Sequence, residues 1–162
     1  MPAYNAGSTI QESIDSVISQ TYDNWELIVI DDYSTDDTVS RVNSFHDKRI
    51  KLIKNDINRG VAITRNIGIQ KTSSRFIAFL DSDDLWLPEK IELQVKELLS
   101  SENAVCSHSG FYRIDRDGNT INEVQAEKIV NARKQRYGNF IGNLTGIIDT
   151  KKLGYIPKQK NI

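Results

Sequence analysis

The sequence predicts an α/β fold, a mostly parallel sheet with helices on both faces. Three observations point there. Over the first hundred residues the apolar spacing switches between two and about 3.6. Short strands alternate with amphipathic helices, the pattern that builds parallel strands joined by crossovers. Two of those strands run directly into carboxylates: residues 25–30 (WELIVI) into Asp31-Asp32, and residues 76–80 (FIAFL) into Asp81-Ser82-Asp83-Asp84.

Each element has a local reason. Ser8 and Gln11 have the capping-box spacing and open a helix through about Ser19, with Ile10, Ile14, Val17 and Ile18 on its apolar face. The strand over 25–30 follows. Ser34 or Thr35 then caps a second helix, whose first turn holds Asp36 and Asp37 where the helix dipole favours negative charge. Val39 and Val42 face the sheet. Residues 50–53 form a short strand, 55–60 a polar loop, 61–71 a third helix, and 76–80 the next strand. Pro88 suits the first turn of a fourth helix, with Ile91, Val95 and Leu98 along one side.

After residue 103 the pattern changes. Residues 104–114 and 120–124 read as two strands joined through Asp117-Gly118, a hairpin signal. From 125 to 162 the chain is polar, rich in Gly and Asn, and shows no assignable period. There is no internal repeat and no low-complexity segment.

A chain of 162 residues suits one domain with its own core. The 21 basic residues nearly balance the 22 acidic ones, so no global field marks a nucleic-acid binder. The single cysteine, Cys106, excludes an internal disulfide and fits a reducing compartment. No apolar run approaches the roughly 20 residues needed to cross a bilayer, and no basic-then-apolar signal pattern opens the chain. The expectation is a soluble cytoplasmic protein.

In sheets of this kind ligands bind outside the carboxyl ends of the strands, and both acidic clusters fall at such ends. One acidic strand end is usually a solvated turn or a helix cap; two on one sheet edge favour a site. An EF-hand loop starting at Asp81 would place Asp83 third and Glu92 twelfth, but Leu85 and Trp86 occupy the fifth and sixth positions, where an oxygen ligand and glycine are needed. Asp115-Arg116-Asp117-Gly118 fails similarly. A phospho-accepting receiver also uses an acidic pair and a later aspartate, here Asp31-Asp32 and Asp81, but it needs a lysine where this chain has the Cys106 region. The third reading is Mg²⁺ or Mn²⁺ gripped by carboxylates and by the phosphates of a nucleotide. It explains why close-set carboxylates need not all be protonated.

Several stretches then occur in order: Pro2-Ala3-Tyr4-Asn5, Ser16-Val17-Ile18-Ser19-Gln20-Thr21-Tyr22, WELIVI with Asp31-Asp32, Ser34-Thr35-Asp36, Asn58-Arg59-Gly60, Arg65-Asn66-Ile67-Gly68 and Asp81-Ser82-Asp83-Asp84. Over about residues 1–100 the chain closely resembles the family 2 glycosyltransferases, inverting enzymes with the GT-A fold. Beyond 103 the resemblance is looser, carried by Tyr112-Arg113-Ile114-Asp115 and Thr145-Gly146. It implies a nucleotide-binding half over 1–103 and the start of an acceptor-side half over 104–162. Pro2 and Tyr4 would belong to the nucleotide-binding site, with the Tyr4 ring stacked on the base. Asp32 would accept a hydrogen bond, plausibly from the uracil imide. Arg65 would reach the base or the diphosphate. Asp81 opens the acidic DXD-type motif, Asp83 would contact ribose or metal, and Asp83 and Asp84 would ligate Mn²⁺ or Mg²⁺. The donor would be a UDP-sugar and the acceptor a saccharide or lipid-linked hydroxyl. Surface polysaccharide synthesis, with a peripheral position at the inner membrane, is implied only at family level.

Two departures from the family pattern shape the expectations. Family members carry an apolar strand directly before the Pro-Ala-Tyr-Asn stretch, and an acidic general base well downstream. Here the chain starts at Met1, and between Gly138 and Ile162 the only carboxylate is Asp149. The chain therefore reads as cut at both ends, prone to self-association, with its general base beyond the C-terminus. The alternative is a nucleotide-sugar-binding fragment without activity. Cys106 and His108 are better explained by core packing than by sugar contacts.

Overall fold

The structure is a computed structural model that describes residues 1–131, 133 and 141–154. Eight strands are described: β1 (Pro2–Ala3), β2 (Leu27–Asp31), β3 (Ile50–Lys54), β4 (Phe76–Ala78), β5 (Cys106–His108), β6 (Phe111–Ile114), β7 (Thr120–Val124) and β8 (Gly146–Asp149). The helices are α1 (Ile10–Ile18), α2 (Thr38–Asn43), α3 (Val61–Lys71), α4 (Lys90–Ser100) and the single turn α5 (Thr150–Leu153).

The strands form three sheets. β1, β2 and β3 lie side by side and parallel, with Pro2 opposite Ile30 and Leu27 opposite Ile50. β4, β8 and β5 form an antiparallel sheet with β8 in the centre. β6 and β7 make a separate hairpin with a register shift between Arg113 and Ile114. The parallel arrangement expected from the sequence holds for β1–β3 but not for β4, which pairs with β8.

Helix α1 buries Ile10, Ile14 and Val17, the expected apolar face, and α4 buries Ile91, Val95 and Leu98. With Val29 and Ile147, these residues form the core. At roughly 25 cal/mol per Å² of apolar surface removed from water, each contributes about 1.5–3 kcal/mol.

The helix starts differ from the sequence reading. Ser8 does not cap α1; the Ala6 carbonyl accepts from both Thr9 and Ile10 instead. Ser34 and Thr35 do not cap α2 either. The Asn5 backbone N–H donates to Ser34 Oγ at 3.0 Å, and Thr35 N–H donates to the Asn5 side chain at 2.9 Å. Asp36 does the capping work, accepting from Thr38 N–H at 3.0 Å and from Gly7 N–H at 2.9 Å. A Cβ at Gly7 would sit 1.9 Å from Asp37 Oδ1, so the exposed Asp37 side chain would have to move to admit one. Pro88 precedes α4 in a turn and is not in its first turn.

The stretch 104–114 is two strands in different sheets, broken at Ser109-Gly110. The Asp117-Gly118 turn is as expected, with Gly118 at φ 82 and the Asp115 side chain accepting the Asp117 and Asn119 amides. β8 and α5 lie in the stretch whose periodicity assigned nothing. Residues 132, 134–140 and 155–162 of the expected acceptor-side half lie outside the described residues.

Between β2 and β4 lies an apolar cavity of about 540 Å³, lined among others by Met1, Leu27, Ile28, Phe76 and Ile147. The Met1 amino group faces it and donates to the Ile28 carbonyl at 2.8 Å. Burial pushes this amine down from 8.0 to about 5, with Asp81 opposing the shift and Arg65 adding to it.

Candidate functional site

The carboxyl ends of β1, β2 and β4 meet at one edge, and a cleft of about 450 Å³ opens there. Pro2, Ala3, Tyr4, Asp32, Asp81 and Asp83 line it. Five residues singled out in the sequence, Pro2, Tyr4, Asp32, Asp81 and Asp83, thus share one wall system. Arg65 and Asp84 are not among the residues that line it.

Tyr4 follows β1 directly and is 53% exposed, a flat ring at the mouth of the cleft. Its position is held by the loop on either side: Asn5 takes a left-handed φ of 49 and clasps Ser34 and Thr35. Pro2 is buried within β1 and fixes the start of that turn.

Asp32 is only 3% exposed. Its Oδ1 accepts from Asn55 Nδ2 at 2.7 Å and from Arg59 N–H at 2.9 Å, and its Oδ2 accepts from Gly60 N–H at 2.8 Å. Burial alone would raise its pKa; the donors from Asn55, Arg59, Gly60 and Thr64 outweigh burial and hold the carboxyl below its usual range. The carboxylate therefore anchors the loop that brings Asn58, Gly60 and Val61 to the cleft. A nucleobase N–H would share an acceptor already engaged by the protein. Sequence reasoning missed this anchoring set, although Asn58-Arg59-Gly60 was among the stretches that carried the resemblance.

Arg65 sits in α3 with its side chain 10% exposed, and its Nη2 donates to both oxygens of Asp81, at 2.5 and 2.7 Å.

The acidic turn itself closes with Asp84 N–H on the Asp81 carbonyl. Asp83 is exposed and Asp84 partly buried. Burial, then the charges of Asp83 and Asp81, push the Asp84 carboxyl up to about 6, with Arg65 opposing them. This is a cluster short of positive charge. Among the described residues no group of three His, Cys, Asp or Glu side chains forms a ready-made metal cage. Two neighbouring carboxylates completed by phosphate oxygens are nevertheless a common arrangement for Mg²⁺ or Mn²⁺, and the donor set fits that kind of site.

Asp149 is excluded as a solvent-facing base. It is fully buried, accepts from Arg75 Nη2 at 2.8 Å, and caps α5 through the Lys151 and Lys152 amides. Cys106 is half-buried in β5, and burial raises its thiol pKa. Like His108 beside it, it belongs to the packed sheet. No helix among the described residues is long and apolar enough to cross a membrane.

Comparison with known proteins agrees with this geometry. Residues 1–154 match the family described as glycosyl transferase family 2. An Escherichia coli relative, the UDP-Glc:alpha-D-GlcNAc-diphosphoundecaprenol beta-1,3-glucosyltransferase WfgD, is 42% identical over 149 residues, covering 92% of this chain and 58% of that protein. Staphylococcus aureus TarS 1–349, solved with UDP-GlcNAc, superposes with a TM-score of 0.73 at 23% identity, covering 96% of this chain and 47% of that one. The Pyrobaculum calidifontis mannosyltransferase PcManGT, solved with GDP-Man and Mn²⁺, gives 0.66 at 20% identity, covering 97% and 46%. The fold is thus that of the GT-A enzymes. The chain spans less than two thirds of the length of these relatives.

Proposed function

The chain belongs to glycosyl transferase family 2, and from that premise we propose that it is the donor-binding part of an inverting enzyme. It would move a sugar from a UDP-sugar to a hydroxyl of a saccharide or lipid-linked acceptor, in the assembly of a bacterial surface polysaccharide. The similarity to WfgD, whose name specifies a UDP-sugar and a diphosphoundecaprenol-linked acceptor, supports both classes. The observation that carries the reading is the single cleft shared by Tyr4, Asp32, Asp81 and Asp83.

In this reading Tyr4 stacks on the base, a contact worth about 1–3 kcal/mol. Asp32 and the loop it holds form the polar side of the base pocket. Asp83 and Asp84 present carboxylates to a divalent cation shared with the diphosphate. When bound, that cation offsets the negative charge gained by the departing diphosphate. Arg65 acts from behind by holding Asp81 in place.

Transfer also requires a general base on the acceptor side. Asp149 is committed to Arg75 and α5, so the base is assigned to a residue other than Asp149. A catalytically incompetent donor-binding fragment is the second reading, favoured by the same commitment of Asp149.

The test is titration calorimetry with UDP in Mn²⁺ and in EDTA, on this chain and on Asp83→Asn. Tighter binding with metal, largely lost in the variant, is expected. Equal affinity in the two buffers would remove the metal from the proposal.

A further inference from the structure

The stretch 16–22 contributed to the resemblance, yet no residue of it lines the cleft. Its side chains instead grip the strap that leaves the acidic turn. Trp86, two residues after Asp84, donates its backbone N–H to Ser16 Oγ at 3.2 Å. Gln20 Nε2 donates to the Leu87 carbonyl at 2.8 Å and to the Ser16 carbonyl at 3.0 Å, while its Oε1 accepts from Ile91 N–H at 3.0 Å. Thr21 N–H donates to the Pro88 carbonyl at 3.0 Å, and its hydroxyl donates to Glu92 at 2.6 Å.

Gln20 is the centre of this clasp. It is 4% exposed, and one amide ties the end of α1 to both a carbonyl of the strap and the first turn of α4. A buried amide with donors and acceptor both engaged is costly to disrupt and fixes geometry on each side. The opposite end of the strap is the acidic turn, which is restrained as well by the Arg65–Asp81 pair and, through Trp86 Nε1, by the Leu144 carbonyl at 3.0 Å.

We infer that Gln20 is a positioning residue for the metal-binding carboxylates: by fixing Leu87 and Ile91 it sets where Asp83 and Asp84 stand relative to the base-binding end of the cleft. The inference rests on the donor-site reading above and deepens it. A purely structural glutamine would lower stability without changing the metal's contribution to nucleotide binding. A positioning glutamine changes that contribution itself.

The experiment measures the ratio of UDP dissociation constants in EDTA and in Mn²⁺ for the full chain and for Gln20→Ala, with amide hydrogen exchange on both ligand-free proteins. The ratio is expected to fall about tenfold, with metal-free UDP affinity within twofold of the parent. Exchange over residues 84–91 is expected to rise at least tenfold, and that over 30–32 to stay unchanged. A ratio within twofold of the parent, or unchanged exchange over 84–91, overturns the inference. If the parent itself shows no metal effect, the donor-site reading fails, and with it the inference, whatever the exchange result. Gln20→Met, which keeps side-chain length without the amide, serves in the same assays if the alanine variant does not fold, with the same criteria.

Discussion

Arg65 Nη2 bridges both carboxylate oxygens of Asp81, at 2.5 and 2.7 Å, and so joins α3 to the first residue of the acidic turn. The arginine is nearly buried and the aspartate about one-third exposed. Solvent on the Asp81 side reduces the strength of the pair, and removing one partner leaves a charge behind α3 without its counter-ion. In a double-mutant cycle of Arg65→Met and Asp81→Asn, urea unfolding should show a coupling of about 0.5–2 kcal/mol. Strict additivity would mean that the pair has no mutual stabilisation.

Tyr4 and Asp32 should separate cleanly by phenotype. Tyr4→Ala is expected to weaken UDP binding by about 1–3 kcal/mol and to leave stability within about 0.5 kcal/mol. Asp32→Ala strands the Arg59 and Gly60 amides, so it should lower stability by about 2–3 kcal/mol. Matched thermal and denaturant unfolding curves decide; an Asp32→Ala protein as stable as the parent would remove its anchoring role.

The buried Met1 amine makes stability depend on pH in a definite direction. Its folded pKa of about 5 lies below the 8.0 of an ordinary terminal amine. Between those values the unfolded chain binds the extra proton, so stability rises with pH across that window and falls as pH drops toward 5. The slope should be at most about 1.4 kcal/mol per pH unit. Acetylation of the amine should abolish that slope, and identical pH profiles for the two forms would contradict the assignment.

Tyr33 has φ 71 and is 54% exposed, and it does not line the cleft. A left-handed conformation costs a non-glycine residue roughly 1–2 kcal/mol, offset in part by the roughly 0.5–1 kcal/mol that glycine's freedom in the unfolded chain costs. Tyr33→Gly should therefore gain about 0.5–1 kcal/mol with UDP affinity unchanged. A loss of stability would show that the ring contributes more by packing than the backbone loses by strain.

Much of the first hundred residues was legible because their signals are local. Apolar spacing placed α1 and α4, and the abrupt strand ends placed Asp32 and Asp81 on one edge. Side-chain partners were not legible in the same way. Asp32 meets Asn55 and Gly60, and Arg65 meets Asp81, across separations that no local spacing encodes. β8 went unseen because Gly146–Asp149 is a short run with no repeat of its own. It is a strand only because β4 and β5 flank it.

That central place of β8 sets an order of assembly. The parallel strands β1–β3 can form from the first 54 residues, with α3 closing over them soon after. β4 and β5 each have to wait for Gly146–Asp149, and the Arg75–Asp149 pair closes a separation of 74 residues. Long closures of this kind are slow. During synthesis the antiparallel sheet is thus the last of the three described sheets to form, and until β8 arrives the exposed edges of Phe76–Ala78 and Cys106–His108 are places where a chaperone, or another copy of the chain, would find an unpaired strand.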